Sequence, residues 1–105
     1  MPDSILDQVR VARARRVLFL PHAIRQMSRP DRMISSTEVE TVLTMGELVE
    51  DYPQDVRGHS CLLLGFGEGK CPIHVLCSPK DDYFAVITAY VPDPTRWSSD
   101  FKRRL

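Results

Sequence analysis

Apolar residues recur at helical spacing in the first half of the chain and at a period of two in the second. Ile5, Leu6, Val9 and Ala12 follow Ser4, a capping residue, and predict a first helix. Arginines 10, 13, 15 and 16 follow near its C-terminal end, where cations are favoured. Val17 to Leu20 is a short apolar run. Pro21 stands where proline is tolerated, at the start of a second, short helix running to about Ser28. Arg29, Pro30, Asp31 and Arg32 make a polar break. Ser35 and Glu38 have capping-box spacing and Ile34 can staple onto Val39, which marks a third helix. Val39, Val42 and Leu43 form its apolar stripe, and Gly46 ends it where a left-handed residue is wanted.

From Glu47 the period changes to two. Leu48, Glu50 and Tyr52 alternate with Val49 and Asp51, and Pro53 to Gly58 reads as a loop. Ser60 to Phe66 is apolar on both faces, as a central strand must be. Gly67, Glu68 and Gly69 supply a tight turn into Lys70 to Cys77, and Pro79 to Asp82 turns the chain into Tyr83 to Val91. Strand parity places Cys71, Ile73, Val75 and Cys77 with Ala85, Ile87, Ala89 and Val91 on the face that helices cover. His74, Thr88 and Tyr90 then share the other face, with His74 opposite Thr88 or Val86. The region of Trp97 and Phe101 is expected to pack back as a tail ending in Lys102, Arg103 and Arg104. The pattern predicts an α+β fold, N-terminal helices packed on a C-terminal antiparallel sheet of about four strands.

Length and composition keep this to one domain over residues 1–105, since 105 residues with 43% hydrophobic content close a single core. No apolar run approaches the roughly 20 residues needed to span a bilayer. Met1 to Arg16 is charged and lacks a signal-peptide apolar centre, so a cytoplasmic location is expected. Cys61, Cys71 and Cys77 are an odd set without C-x-x-C spacing, which fits reduced thiols acting as small apolar residues. The formal charge is zero, so any nucleic-acid contact must be local. Positive charge is carried by 11 arginines against 3 lysines, with seven of the arginines between Arg10 and Arg32, whereas acidic residues dominate from Glu38 to Asp55. The arginine-rich end is a candidate anion site, because the planar guanidinium fork matches phosphate oxygens; ordinary surface charge explains it equally well.

The second helix holds the most suggestive group. His22, Arg25 and Arg29 lie at i, i+3 and i+7, with Gln26 at i+4, so they project from one side while Ala23, Ile24 and Met27 occupy the other. One imidazole and two guanidiniums can hold a phosphate and move a proton; the same residues also suit a helix start and arginines that snorkel or pair with acidic neighbours. His74 interrupts an apolar strand, so its nitrogens need partners, either structural ones or a substrate. Cys71, His74 and Cys77 resemble a metal motif in spacing, but in a strand the histidine points away from both cysteines. No Walker loop, dinucleotide fingerprint or nucleophile elbow is present, so neither metal nor cofactor is expected.

The run His22-Ala23-Ile24-Arg25-Gln26-Met27-Ser28-Arg29, followed by Ile34-Ser35, Val39 to Gly46, Ile73-His74-Val75 and Ile87-Thr88-Ala89-Tyr90, resembles the bacterial family of unassigned function DUF4258. The resemblance runs from about Leu18 to Trp97 and leaves residues 1–16 outside. The family is similar to the RelE, barnase and colicin ribonuclease group, whose members set helices against an antiparallel sheet and cleave RNA without a metal. It is also similar to toxins that sit beside an antitoxin, often one with a small zinc-binding domain. The chain departs from the pattern at Gln26, where an arginine–methionine pair is usual, which leaves Arg25 alone in that register.

What the resemblance implies is a metal-independent endoribonuclease of toxin–antitoxin type. His22 and His74 would be the proton-transfer pair and Arg25 the phosphate clamp, with Arg29 assisting, while Thr88 and Tyr90 donate hydrogen bonds. Metal-free RNA cleavage needs a base for the ribose 2′-hydroxyl, an acid for the leaving oxygen and a cation on the phosphorane. The alternatives are a non-catalytic module that binds a protein through the same sheet face, and RNA binding without cleavage. One geometric condition separates them: His22, Arg25, His74 and Tyr90 must line a common cleft.

Overall fold

In a computed structural model that describes residues 4–12 and 16–105, two local signals act as anticipated. Helix α1 (Ile5–Ala12) buries Ile5, Val9 and Ala12, and its first turn is capped by the Ser4 hydroxyl, which accepts from the Asp7 N–H at 3.2 Å. Helix α3 (Ser36–Met45) carries the full capping box. Ser35 Oγ accepts from the Glu38 N–H and Glu38 Oε1 from the Ser35 N–H, each at 3.0 Å, over buried Ile34 and Val39. Arg13 and Arg15 lie outside the described residues, and Arg16 belongs to a strand rather than to α1.

That strand, β1 (Arg16–Phe19), is the apolar run between the first two helices. It lies parallel to β5 (Tyr83–Tyr90), with Val17 opposite Phe84 and Phe19 opposite Val86. Pro21 then opens helix α2 (Pro21–Met27) at its first turn, and α2 packs on β5 through buried Ala23. Strands β2 (Glu47–Tyr52), β3 (Ser60–Phe66) and β4 (Pro72–Pro79) complete a sheet in the order β1-β5-β4-β3-β2. The fold is therefore α+β with three helices and a mixed, five-stranded sheet. The expected four antiparallel strands omitted β1, and the helices do not all precede the sheet.

Two further expectations are corrected by local geometry. Gly46 is extended (φ −70°, ψ 160°), not left-handed; a side chain there is excluded because its Cβ would lie 2.4 Å from the Val42 carbonyl and 3.0 Å from that of Leu64. In β5, Ile87 is an extra residue, since Leu76 pairs with Thr88 but Cys77 already pairs with Val86. This bulge reverses the parity of half the strand. Phe84, Val86 and Ala89 enter the helix-covered core, whereas Ala85 and Ile87 join Ser78 on the opposite face, and Val91 is exposed beyond the strand end. His74 stands opposite Tyr90, not Thr88 or Val86.

The core between helices and sheet takes Val39, Val42 and Leu43 from α3 against Leu63, Ile73, Val75 and Val86. Cys61 and Cys77 are buried there as free thiols on paired positions, their sulfurs 3.9 Å apart, while Cys71 precedes β4 and is half-buried. The tail does pack back. Trp97 is buried, pairs with Arg104 in an antiparallel bridge, and lies under the Arg104 guanidinium at 4.7 Å. Arg104 and Lys102 then reach Glu50 and Glu47 on β2, so the end of the chain straps the sheet face that the helices leave open.

Candidate functional site

On that open face Leu62, Leu76 and Thr88 sit in register across β3, β4 and β5 and form the floor of a groove of about 570 Å³. Tyr52 and Tyr90 contribute phenols to its lining. Asp55, Arg57 and Arg104 also line it. Tyr90 and Arg104 are shared with an adjoining depression of about 330 Å³, where Gln26 and Arg29 of the α2 region meet Arg96 and Trp97 of the tail. The two hollows thus form one surface pivoting on Tyr90.

His74 lies directly behind that pivot. Its ring is fully buried, edge-to-face with Tyr90 (centroids 5.4 Å apart) and with Trp97 (4.4 Å). Nε2 is 2.8 Å from the carbonyl oxygen of Phe101, and Nδ1 is 3.2 Å from the Tyr90 hydroxyl. A carbonyl only accepts, so Nε2 carries the proton. Burial holds the imidazole below its usual pKa, against the opposing pull of the Phe101 carbonyl and Glu50. In the neutral ring Nδ1 is therefore the acceptor and the Tyr90 O–H the donor. Burial raises the Tyr90 pKa, so the phenol is intact at neutral pH.

Because burial is the largest influence on His74, truncation after Trp97 is expected to move its pKa up toward the ordinary value. Loss of the Phe101 hydrogen bond acts in the opposite direction but is the smaller effect, and loss of Arg104 acts in the same direction as exposure. An imidazole titration followed by NMR checks this; a pKa unchanged by truncation would show that the tail does not seal the ring.

The guanidiniums differ in how far they are committed. Arg104 grips Glu50 with two nitrogens at 3.0 to 3.2 Å, and the Tyr52 hydroxyl donates to the same carboxylate. Burial pushes the Glu50 pKa up, but the hydrogen bonds from Arg104 and Tyr52 outweigh it and hold the group below its usual range. Arg57 is likewise clamped on Asp55, which also accepts from Ser60. Arg29 and Arg96 are more open: each touches its acidic neighbour through Nε alone, at 3.2 Å to Asp31 and 4.0 Å to Asp93, with side chains 60% and 83% exposed. They are the cations on this surface best placed to receive an anion.

Of the residues singled out from sequence, Arg29, Thr88 and Tyr90 meet on this surface with His74 behind them. His22 and Arg25 are exposed on α2 but line none of these depressions, and His74 has no solvent-facing surface, so the common cleft required for a His22–His74 pair does not form. Tyr52, Arg57, Arg96 and Arg104 were not anticipated. Tyr52 shares a face with Glu50 on an edge strand, which was the one available signal; Arg57 and Arg96 contact acidic neighbours two and three positions away, whereas Arg104 arrives through its contact with Glu50, 54 positions away. Cys77 faces the helix-covered core while His74 lies on the opposite face, packed against Tyr90 and Trp97, so they do not converge, and no cluster of metal-ligating side chains occurs among the described residues. No helix among those residues is long and apolar enough to cross a membrane.

No curated protein and no solved structure matches the chain. A family model does, over residues 19–91, which takes in the sheet from the end of β1 through β5 and leaves α1 and the strap that closes His74 outside. By that match the chain belongs to the family DUF4258, a domain of unknown function.

Proposed function

We propose that this domain is a metal-independent ribonuclease of the toxin type, working at the Tyr90 surface. The observation that carries the reading is Tyr90, which lines the groove and whose hydroxyl donates to a neutral histidine, with Arg29, Arg96 and Arg104 lining the same surface. In the transesterification, the ribose 2′-hydroxyl gives its proton to the Tyr90 oxygen while the Tyr90 proton passes to His74 Nδ1. The 2′-oxygen bonds to phosphorus, the bond to the 5′-oxygen breaks, water protonates the leaving oxygen, and the hydroxide so formed takes the proton back from His74 through Tyr90. Arg29 and Arg96, the less committed cations, would stabilise phosphorane charge. His74 thus serves through Tyr90, and His22 and Arg25 are left to contact RNA outside the cleft. An antitoxin, of the kind with a small zinc-binding domain that the resemblance implies, would silence the enzyme by covering this groove.

A second reading is favoured by one observation. Arg57 and Arg104 are already neutralised by carboxylates, and the chain carries no net charge, which suits a protein ligand better than a polyanion. The purified protein is expected to degrade RNA in EDTA, leaving 5′-hydroxyl and 2′,3′-cyclic phosphate ends. Intact RNA in every buffer, with no growth defect on expression, would leave the protein-binding module as the answer.

A further inference from the structure

Glu50 sits where the proposed chemistry has no direct use for it. A fixed negative charge beside Arg104, on the rim that the two hollows share, weakens phosphate binding there. Its side chain is nonetheless held on three sides, by Nε and Nη2 of Arg104 and by the Tyr52 hydroxyl. What that grip serves is found on the far side of Arg104. The Arg104 guanidinium lies 4.7 Å over the Trp97 ring, and Trp97 packs edge-to-face on His74 with centroids 4.4 Å apart.

Between Trp97 and Arg104 the chain folds into a hairpin. The Ser98 N–H donates to the Arg103 carbonyl at 2.8 Å and the Leu105 N–H to that of Arg96 at 3.0 Å. Its turn holds Phe101 in the left-handed region (φ 62°), a conformation that a bulky residue rarely adopts and that persists only where surrounding contacts impose it. From there the Phe101 carbonyl accepts from His74 Nε2–H at 2.8 Å. That bond keeps the proton on Nε2, so the contacts that close the hairpin also decide which nitrogen Tyr90 meets. Two ion pairs tie the hairpin to β2. Lys102–Glu47 is a single contact between exposed groups, whereas Arg104–Glu50 is forked and backed by the buried Trp97 ring.

We infer that Glu50 is a positioning residue: through Arg104 it latches the hairpin of residues 96–105 over His74, so that Phe101 keeps the proton on Nε2 and Nδ1 stays open to Tyr90. The relay itself rests on the ribonuclease reading above, and the latch adds the group that holds its histidine in place.

Imidazole NMR of the full chain reads the latch without RNA. The His74 Nε2–H is expected as a slowly exchanging signal, with exchange roughly tenfold faster in Glu50→Gln and at least as fast in Arg104→Ala. The double substitution is expected to exchange no faster than Arg104→Ala alone, because both act through one contact. Glu47→Gln, which removes only the exposed pair, is expected to leave the signal as it is. RNA cleavage supplies a second readout. Loss of the negative charge frees Arg104 and should leave KM equal or lower, while kcat falls roughly tenfold; a merely structural Glu50 lowers the melting point and spares the kcat of the folded protein. Exchange unaltered in Arg104→Ala overturns the inference even where Glu50→Gln does not fold, and so does additive acceleration in the double variant. Faster exchange with no RNA cleavage by any form removes the ribonuclease reading and leaves the latch. Cleavage with an unchanged kcat in a folded Glu50→Gln does the reverse.

Discussion

Replacing Glu38 with glutamine is expected to destabilise the domain by about 2–3 kcal/mol, as breaking one side of a largely buried ion pair does when the partner keeps some solvent. The Glu38 carboxylate accepts from Arg32 Nη2 at 2.7 Å, from the Ser35 N–H at 3.0 Å and from the Glu68 N–H at 2.9 Å. Its side chain is 8% exposed against 31% for Arg32. It therefore ties the start of α3, the preceding loop and the β3–β4 turn together. The turn approaches so closely that a Cβ on Gly67 would lie 2.2 Å from Glu38 Oε2. Glutamine keeps one acceptor but turns an amide N–H₂ toward donors.

The same residue sets an acid limit. The Arg32 hydrogen bond, working against burial, brings the Glu38 pKa from 4.5 to about 2. A carboxylate depressed in the folded state contributes stability that is fully present above its unfolded value, near 4.5, and is lost as pH falls through about 2. The difference corresponds to about 3 kcal/mol at neutral pH, of which roughly half remains at about pH 3. Urea midpoints at pH 7 and pH 3 should therefore bring Glu38→Gln and the unmodified protein closer together. A gap unchanged with pH would mean that the carboxylate charge is not what holds the turn.

Legibility followed the range of the contacts. The capping box at Ser35 and Glu38 involves residues three apart, and it was readable from the sequence. What the pattern could not show is that the Glu38 carboxylate also serves Glu68, thirty positions away. β1 escaped notice because four residues between a helix and a proline carry no period of their own; Val17 and Phe19 become a strand only when β5 supplies the hydrogen bonds. The parity of β4 held. That of β5 failed at Ile87, because a bulge is decided by how both strands pack and leaves no mark in an apolar run.

The candidate site divides in the same way. Thr88 and Tyr90 were assigned correctly to the face away from the helices because they lie on the Ala89 side of the bulge, where alternation still applies. His74 shares that face, but its burial depends on the strap of residues 97–104, whose fold rests on Arg104 crossing to Glu50 and on the Phe101 carbonyl reaching Nε2. Helical spacing placed His22, Arg25 and Arg29 on one stripe without showing which end of it meets the sheet. Only the Arg29 end reaches Tyr90.

Tyr90→Phe is expected to lower RNA cleavage by about 10²–10³-fold, within the span attributed to a positioned proton-transfer group. Phenylalanine keeps the ring against His74 and removes only the hydroxyl, so the structural cost is confined to the Nδ1 acceptor, about 1 kcal/mol. The relay also fixes the pH profile. Activity requires His74 neutral and should rise with pH through an imidazole value below 6.5, then hold until the phenol ionises above 10. A merely structural hydroxyl predicts a lower melting point with an unaltered profile. Should a folded Tyr90→Phe cleave RNA at the unmodified rate, the chemistry must move to a group that the strap does not cover. His22 and Arg25, exposed together on α2, are then the pair to examine.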